Sequence, residues 1–471
     1  MRKSRFFLYG LLVVVILGIG YMWLMKPSAT EQKSVSNSQV IDEAFKLIKK
    51  EAVFSKNENL LVEGAIRGMA DALEDPHSTY LTKEEAANQE ASLAEERVGI
   101  GAEIMLSAGK FVVVAPLKDS PAFKAGLKSQ DEIVRVNEER VEGKSMAELI
   151  QLLSGKKGSN LKMTVYRASE NRHVELHMKR DTIAMHTVSS DIYEVEDYSI
   201  GIVNITLFGE KTGEEWEKQT KALVERGIDG LVIDVRGNPG GYLFSVSTII
   251  STLLPNGSTF AYMQDAKGVL EMLNTETQDN QYLNKLPVVL LQNGGSASAS
   301  EVLAGALKDN QRAMIVGETS FGKGTVQETR PLKNGGKLKI STHKWLTPKQ
   351  EWIHHKGIQA DLQVEPDELY TMDTKYYQGN FRVGDFGEEV KYVQQVLGAL
   401  GYNISRQDGY FDEDTGAAVE KYREERSLDK FNEIDDALFQ SLTKTILDYK
   451  TSRENDKQFQ MGISYLLHDI K

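Results

Sequence analysis

The chain opens on its longest apolar block. Arg2, Lys3 and Arg5 precede an uncharged stretch from Phe6 to Met25, which Lys26 closes. At about 1.5 Å of rise per residue, such a stretch spans about 30 Å, the thickness of a bilayer's hydrocarbon core. The basic flank on its amino side predicts an N-terminus held in the cytoplasm and a remainder that is exported. The run ends Tyr21-Met22-Trp23-Leu24-Met25, without the small-x-small site of a cleaved signal peptide. The expectation is therefore an uncleaved transmembrane anchor over residues 1–26. Residues 27–39, small and polar, read as a flexible linker.

Beyond the linker the period of the pattern changes several times. From Val40 to about Leu93 it is helical: Ile41, Ala44, Phe45 and Ile48 share one face, and Leu61, Ala65, Met69 and Leu73 another. Asp75-Pro76-His77 breaks this helical region, 40–93, into parts. Over 97–180 short β-rich runs alternate with glycine turns, with an amphipathic helix around Met146–Leu153. Over 181–366 strands and helices alternate. Ile200–Ile205, Leu231–Val235, Pro287–Gln292 and Met314–Val316 read as strands, and Gly213–Arg226, Tyr242–Leu254 and Ala299–Asp309 as helices. Continuous apolar strands between helices predict an α/β layer covered on both faces. A polar linker ending in Gly379-Asn380 leads to a small helical unit, 381–443, and to a helical tail, 444–471, that offers an oligomer contact and so a homodimer. The fold class expected is multidomain α/β.

Composition narrows the chemistry. Among 471 residues there is no cysteine, which removes disulfides, zinc thiolates and cysteine nucleophiles together. It also suits work outside the cytoplasm. A net charge of −12 with no long basic run argues against nucleic acid as a partner. No metal site and no cofactor are expected.

Two strand-to-helix junctions carry candidate chemistry. The first is Asn293-Gly294-Gly295-Ser296-Ala297-Ser298-Ala299-Ser300-Glu301. A serine at a helix start meets free N–H groups and the positive end of the dipole, which favour an oxyanion. Serines and glycines also simply cap helices, and this stretch alone does not separate the two readings. The second junction is Gly317-Glu318-Thr319-Ser320-Phe321-Gly322-Lys323-Gly324-Thr325-Val326-Gln327. A serine needs a base, and none of the eight histidines stands in a glycine-rich, catalytic-looking motif. A lysine serves if burial lowers its pKa by disfavouring the charged form. A third glycine-rich stretch, Asp234-Val235-Arg236-Gly237-Asn238-Pro239-Gly240-Gly241-Tyr242, follows a buried strand and lacks the Gly-Lys-Ser/Thr ending of a phosphate loop. Asp234 and Arg236 read as braces for that loop.

Taken together, "LVIDVRGNPGG", "GSASASE" and "GETSFGKGTVQ" resemble the carboxyl-terminal processing protease family, over about Val40 to Pro366. The resemblance implies a serine endopeptidase with Ser298 as nucleophile, Lys323 as general base and Gln327 as the residue that orients the lysine. Ser296 and Ser300 are the alternatives if the register differs. The oxyanion donors expected are the N–H of Gly240 or Gly241 and that of Ala299. Four residues of ideal strand span about 13 Å, so Gln327 reaches Lys323 only if the segment turns helically or bulges. Within 97–180, the stretch "SPAFKAGLKSQDEIVRVN" resembles PDZ domains of bacterial proteases. That implies capture of a chain terminus by strand addition, its carboxylate held at Gly99, Ile100, Gly101 and Ala102. The partners expected are proteins or peptides with accessible C-termini. Residues 381–443 resemble the small peptidoglycan-binding-like domain of bacterial cell-wall proteins, which implies peptidoglycan as a further partner. Tyr422-Arg423 stands where Phe-Gln is usual, so a structural or dimerisation role also stays open. The localisation expected is the cell membrane, single-pass, with the catalytic domain extracytoplasmic. The rival reading is a non-catalytic adaptor binding C-termini and wall.

Overall fold

The computed structural model describes residues 36–54, 57–93, 96–107, 109–117, 119–184, 186–276, 282–375, 377 and 379–471. The expected membrane anchor, 1–26, and most of the linker lie outside them. No helix among the described residues is long and apolar enough to cross a membrane. The chain divides into two compact units, one ending at Leu73 and one from Glu74 to Lys471.

In the first unit, helix Asn37–Glu51 is followed by Glu58–Asp71. Asn57 starts the second by accepting the Asn59 N–H on its side chain at 2.9 Å. Val40, Ile41, Leu47 and Ile48 of the first helix are about half exposed, although they repeat at helical spacing. The region expected to be helical to Leu93 is helical only in part. Beyond the Asp75-Pro76 break, Thr79–Leu81 is a strand, and helix Lys83–Leu93 follows.

The second unit is organised around a six-stranded sheet in the order Val188–Val195, Tyr198–Ile205, Gly230–Asp234, Val288–Gln292, Met314–Gly317 and Leu362–Gln363. The first pair is antiparallel and the rest are parallel. Parallel neighbours need crossovers, which helices Thr212–Glu225, Leu243–Leu253 and Ala299–Asp309 supply. Strand Val288–Gln292 is buried at every position, so both its faces are covered. Val203, Ile205, Leu231, Ile233, Leu290 and Ile315 pack against those three helices. On the opposite face Ile200, Ile202, Val232, Val289, Leu291 and Val316 pack against Phe459, Ile463 and Leu466.

Those last residues belong to helix Lys457–Ile470, in the tail for which an oligomer contact was expected. Its apolar face is spent inside the chain instead. A Cβ at Gly462 would stand 3.0 Å from Val289 Cγ1, so glycine permits the close approach of helix to sheet. The boundary expected between 443 and 444 also falls inside a helix, Asp436–Thr451, whose Leu438, Phe439, Leu442 and Ile446 complete the small C-terminal core. There Tyr422 bonds Ser441 and Thr445 at 2.9 and 2.8 Å, and buried Arg423 pairs with Asp435 at 2.7 Å. The two residues that depart from the familiar pattern thus hold the second half of this domain together.

A second sheet carries Thr79–Leu81, Lys337–Leu346, Thr259–Asp265 and Leu270–Asn274, with Thr325–Pro331 also paired to Lys337–Leu346. Between them in sequence lies a β-domain of its own, whose sheet order is Ala102–Ser107, Lys110–Pro116, Asp131–Val136, Asn160–Arg167, Arg172–Lys179. Helix Met146–Leu153 packs on it, opened by a reciprocal cap in which Ser145 N–H donates to Glu148 at 2.7 Å and Glu148 N–H to Ser145 Oγ at 3.3 Å.

Candidate active site

The serine cluster leaves the buried strand Val288–Gln292 and enters helix Ala299–Asp309 within six residues, so the turn is tight. Its three serines end up in different environments. Ser296 is buried and donates to Val235 O at 2.8 Å; Ser300 is buried and donates to Asn238 O at 2.9 Å. Both hydroxyls are spent on holding the Asp234–Tyr242 loop. Ser298 instead lines an open cleft; its side chain faces the Glu301 N–H in a reciprocal cap, and among the described residues its hydroxyl donates to no atom. Its backbone stands at φ 54° and ψ −111°, a conformation that costs a non-glycine residue about 1–3 kcal/mol. Sharp strained turns of this kind push a nucleophile out at the head of a helix.

Glu301, one turn into the helix, repays that strain. Its carboxylate is fully buried and accepts the Ser298 N–H at 2.8 Å on one oxygen. The same oxygen accepts the Lys323 N–H at 2.8 Å. The other accepts the Gly322 N–H at 2.7 Å and the Ser320 hydroxyl at 2.6 Å. One carboxylate therefore ties the serine turn to the lysine loop. Nothing in the motif alone marks Glu301 for this role, because its partners in the lysine loop lie 19 to 22 residues further along the chain.

Lys323 is held from its other side by two tryptophans. Trp345 Nε1 donates to Lys323 O and Trp352 Nε1 to Gly324 O, each at 2.8 Å. A Cβ at Gly324 would lie 2.8 Å from His354 N, and one at Gly322, where φ is 92°, 3.0 Å from the N atoms of Lys356 and Gly357. The segment 352–357 is packed so closely over the loop that only glycine fits beside the lysine. Burial pushes the Lys323 pKa down, and the charge of Lys339 pushes it the same way against Glu301 and Asp75. Its amine makes no hydrogen bond or ion pair among the described residues. Burial, and then Lys323, push His77 down as well, so a histidine outside any glycine motif sits in this electrostatic environment.

Ser298, Ala299, Gly240, Gly241, Lys323 and Gln327 line one cleft of about 500 Å³. The structure thus brings every expected residue of the reaction centre to one place, but with two differences. Gly240 N–H is already given to Asn238 Oδ1 at 2.9 Å, so it is not free to donate to a substrate. The N–H groups of Gly241 and Ala299 have no such partner among the described residues. Gly240 has a different use: a Cβ there would stand 2.8 Å from Ser298 Cβ and 2.9 Å from Ala299 N, so it lets this loop lie against the serine turn. The second difference is Gln327. Its strand, Thr325–Pro331, bulges between Val326 and Gln327, and its Nε2 donates to Thr325 Oγ1 at 2.9 Å and Ser341 Oγ at 3.0 Å. No hydrogen bond joins it to Lys323 among the described residues.

The brace expected from Asp234 and Arg236 reaches further than the loop. Arg236 pairs with Asp234 at 2.6 Å and with Asp456 at 2.7 Å, just ahead of the last helix. A separate cleft of about 280 Å³ lies in the β-domain, lined by Gly99, Ile100, Gly101 and Ala102 and by apolar side chains that include Ile104, Leu149 and Ile150. The N–H groups of Ile100 and Gly101 donate to no atom among the described residues.

Comparison with known proteins bears on the whole chain. Family models match residues 23–85 (activating protease CtpB N-terminal domain), 98–178 (PDZ domain), 199–364 (peptidase family S41) and 386–429 (putative peptidoglycan binding domain). The carboxy-terminal processing protease CtpB of Bacillus subtilis (strain 168) is 36% identical over 461 residues, covering 96% of this chain and 95% of that one. Carboxy-terminal processing protease CtpA of the same organism is 33% identical over 475 residues, covering 100% of each. Among solved structures, a photosystem II D1 C-terminal processing protease superposes with a TM-score of 0.44 at 26% identity, covering 71% of this chain and 94% of that one. The chain belongs to peptidase family S41, among the carboxy-terminal processing serine proteases, with a PDZ domain and a putative peptidoglycan-binding domain.

Proposed function

We propose that this protease is an endopeptidase working by a Ser298–Lys323 dyad on exported or membrane proteins, near their C-termini. Neutral Lys323 takes the Ser298 proton as Oγ attacks the scissile carbonyl, and the resulting oxyanion is met by the N–H groups of Ala299 and Gly241. The lysine ammonium then protonates the leaving amine, and water hydrolyses the acyl-enzyme with Lys323 again as base. Gln327 orients the lysine. The observation that carries this reading is the shared cleft: it holds the serine of the cluster whose hydroxyl proton is not donated, and a desolvated amine, neither with a donated bond or ion pair among the described residues. The PDZ cleft would take a substrate's C-terminus, its carboxylate on the Ile100 and Gly101 N–H groups and an apolar terminal side chain among Ile104, Leu149 and Ile150.

The apolar segment from Phe6 to Met25 would anchor the enzyme in the cell membrane, with the catalytic domain outside the cytoplasm. The C-terminal domain would bring it to peptidoglycan. The test is digestion of casein by the soluble fragment, comparing wild type with Ser298→Ala and Lys323→Ala. Both variants are expected to fold and to lose cleavage. Cleavage retained in either would overturn the dyad.

A further inference from the structure

Gln327 is anchored at its amide nitrogen, and the anchor leads away from the cleft. Its partner Ser341 is its cross-strand neighbour. The Ser341 backbone N–H donates to Ser78 Oγ at 3.0 Å, and Ser78 gives its own proton to Asp75 Oδ2 at 2.6 Å. The His77 N–H closes the turn on Asp75 Oδ1 at 3.0 Å. Burial works against ionisation of Asp75, and the neighbouring Ser78 and Ser341 hydroxyls and the His77 N–H overcome it, so its pKa lies below the usual carboxylate value; of the two hydroxyls, that of Ser78 donates to it within hydrogen-bond distance.

An ionised carboxylate only accepts. The Ser78 hydroxyl therefore turns its proton toward Asp75 and offers a lone pair to the Ser341 N–H, which holds that residue in place. Behind Ser78 stands the Ser341 N–H; behind Ser341 Oγ stands the Gln327 amide. The chain of contacts starts at Asp75 and ends with the Gln327 NH₂ occupied by Thr325 Oγ1 and Ser341 Oγ, its carbonyl oxygen left over as an acceptor on a residue that lines the cleft with Lys323.

We propose that Asp75 is a positioning residue for the reaction: through Ser78 and Ser341 it fixes the Gln327 amide with its oxygen available to Lys323. That oxygen takes an N–H of the neutral lysine and turns the nitrogen lone pair toward Ser298. This rests on the reading of Lys323 as the base. Asp75→Asn leaves one side-chain oxygen for two donors, the Ser78 hydroxyl and the His77 N–H, so the hold on Ser78, and through it on Ser341 and the Gln327 amide, is loosened.

The experiment is a double-mutant cycle on a peptide substrate, with kcat and KM measured separately and melting temperatures in parallel. Asp75→Asn is expected to lower kcat by about 10- to 100-fold with little change in KM. In a Gln327→Ala background it is expected to change kcat by less than about 3-fold, because the group it acts through is gone. An equal loss in both backgrounds, or no loss in the wild-type background, overturns the proposal. If Asp75→Asn melts too low to compare, Ser341→Ala removes only the hydroxyl behind Gln327, keeps its backbone bond to Ser78, and carries the same cycle with the same two outcomes. Lys323→Ala on the same substrate separates the two claims. Activity retained there sinks the base itself, whereas an inactive Lys323→Ala with an additive cycle sinks only the role of Asp75.

Discussion

At the scale of single residues, the centre depends on groups that are not themselves reactive. Gly240 shows this most simply. A methyl there would overlap Ala297 O at 2.7 Å and Ser298 Cβ at 2.8 Å, on a backbone at φ 103° that L-residues avoid. Gly240→Ala is expected to lower kcat/KM by about 100-fold through displacement of the serine turn, read on a peptide substrate with circular dichroism as the folding control. Glu301 makes a second case. Glu301→Gln keeps the shape but presents an NH₂ to N–H donors from Ser298, Gly322 or Lys323, and is expected to cost about 3 kcal/mol of stability in urea titration. Unchanged stability would mean the carboxylate is not needed as a charge.

The lysine also makes a statement about pH. Its pKa is lowered in the folded state, so between that value and the ordinary lysine range the unfolded chain binds the extra proton. Stability from this group is therefore fully present above the ordinary lysine range, declines as pH falls across that window, and is gone once pH has passed through the folded value. Lys323→Met removes the burden of a buried amine. It is expected to raise the melting temperature at neutral pH and to flatten the rise toward alkaline pH, while leaving no activity.

At the scale of elements, the strands and helices of the catalytic layer were legible because their apolar runs are continuous and their junctions rich in glycine. Helix Ala299–Asp309 has the bounds its pattern indicates. Legibility failed where the partner is distant in sequence. Nothing local marks Trp345 and Trp352 as the clamps on the Lys323 loop, since their indoles are ordinary strand and loop residues until the chain folds back. The same holds for Thr79–Leu81, a strand only because Lys337–Leu346 lies beside it. Gly240 shows a finer limit. Its motif puts it at the reaction centre, but its N–H is already taken by Asn238, a partner the motif does not announce. Trp352→Phe keeps the ring and loses the bond to Gly324 O. It is expected to lower activity several-fold, about 1 kcal/mol of positioning, with a small change in melting temperature.

At the scale of the whole molecule, the catalytic layer is closed by the end of the chain. Phe459, Ile463 and Leu466 cover one face of its sheet, and Asp456 pairs with Arg236 beneath the loop that carries Gly240 and Gly241. A chain ending after Thr451 would expose that face and leave Arg236 with Asp234 alone. It is expected to be less stable in denaturant titration and less active even where it remains folded. Equal activity and stability would show the tail to be dispensable. The continuous apolar runs of the sheet's strands predict a cover on both faces, but the tail's own periodicity does not say which surface it covers.

The central claim is tested most directly by following acylation itself. An activated peptide ester is mixed with the enzyme, samples are quenched across a range of pH, and the covalent adduct is located and timed by intact-protein and peptide mass spectrometry. The expected result is an adduct on Ser298 whose rate of formation rises through a single ionisation below the ordinary lysine range and collapses, pH dependence included, in Lys323→Met. An adduct on another serine, or wild-type acylation rates in Lys323→Met, would contradict it.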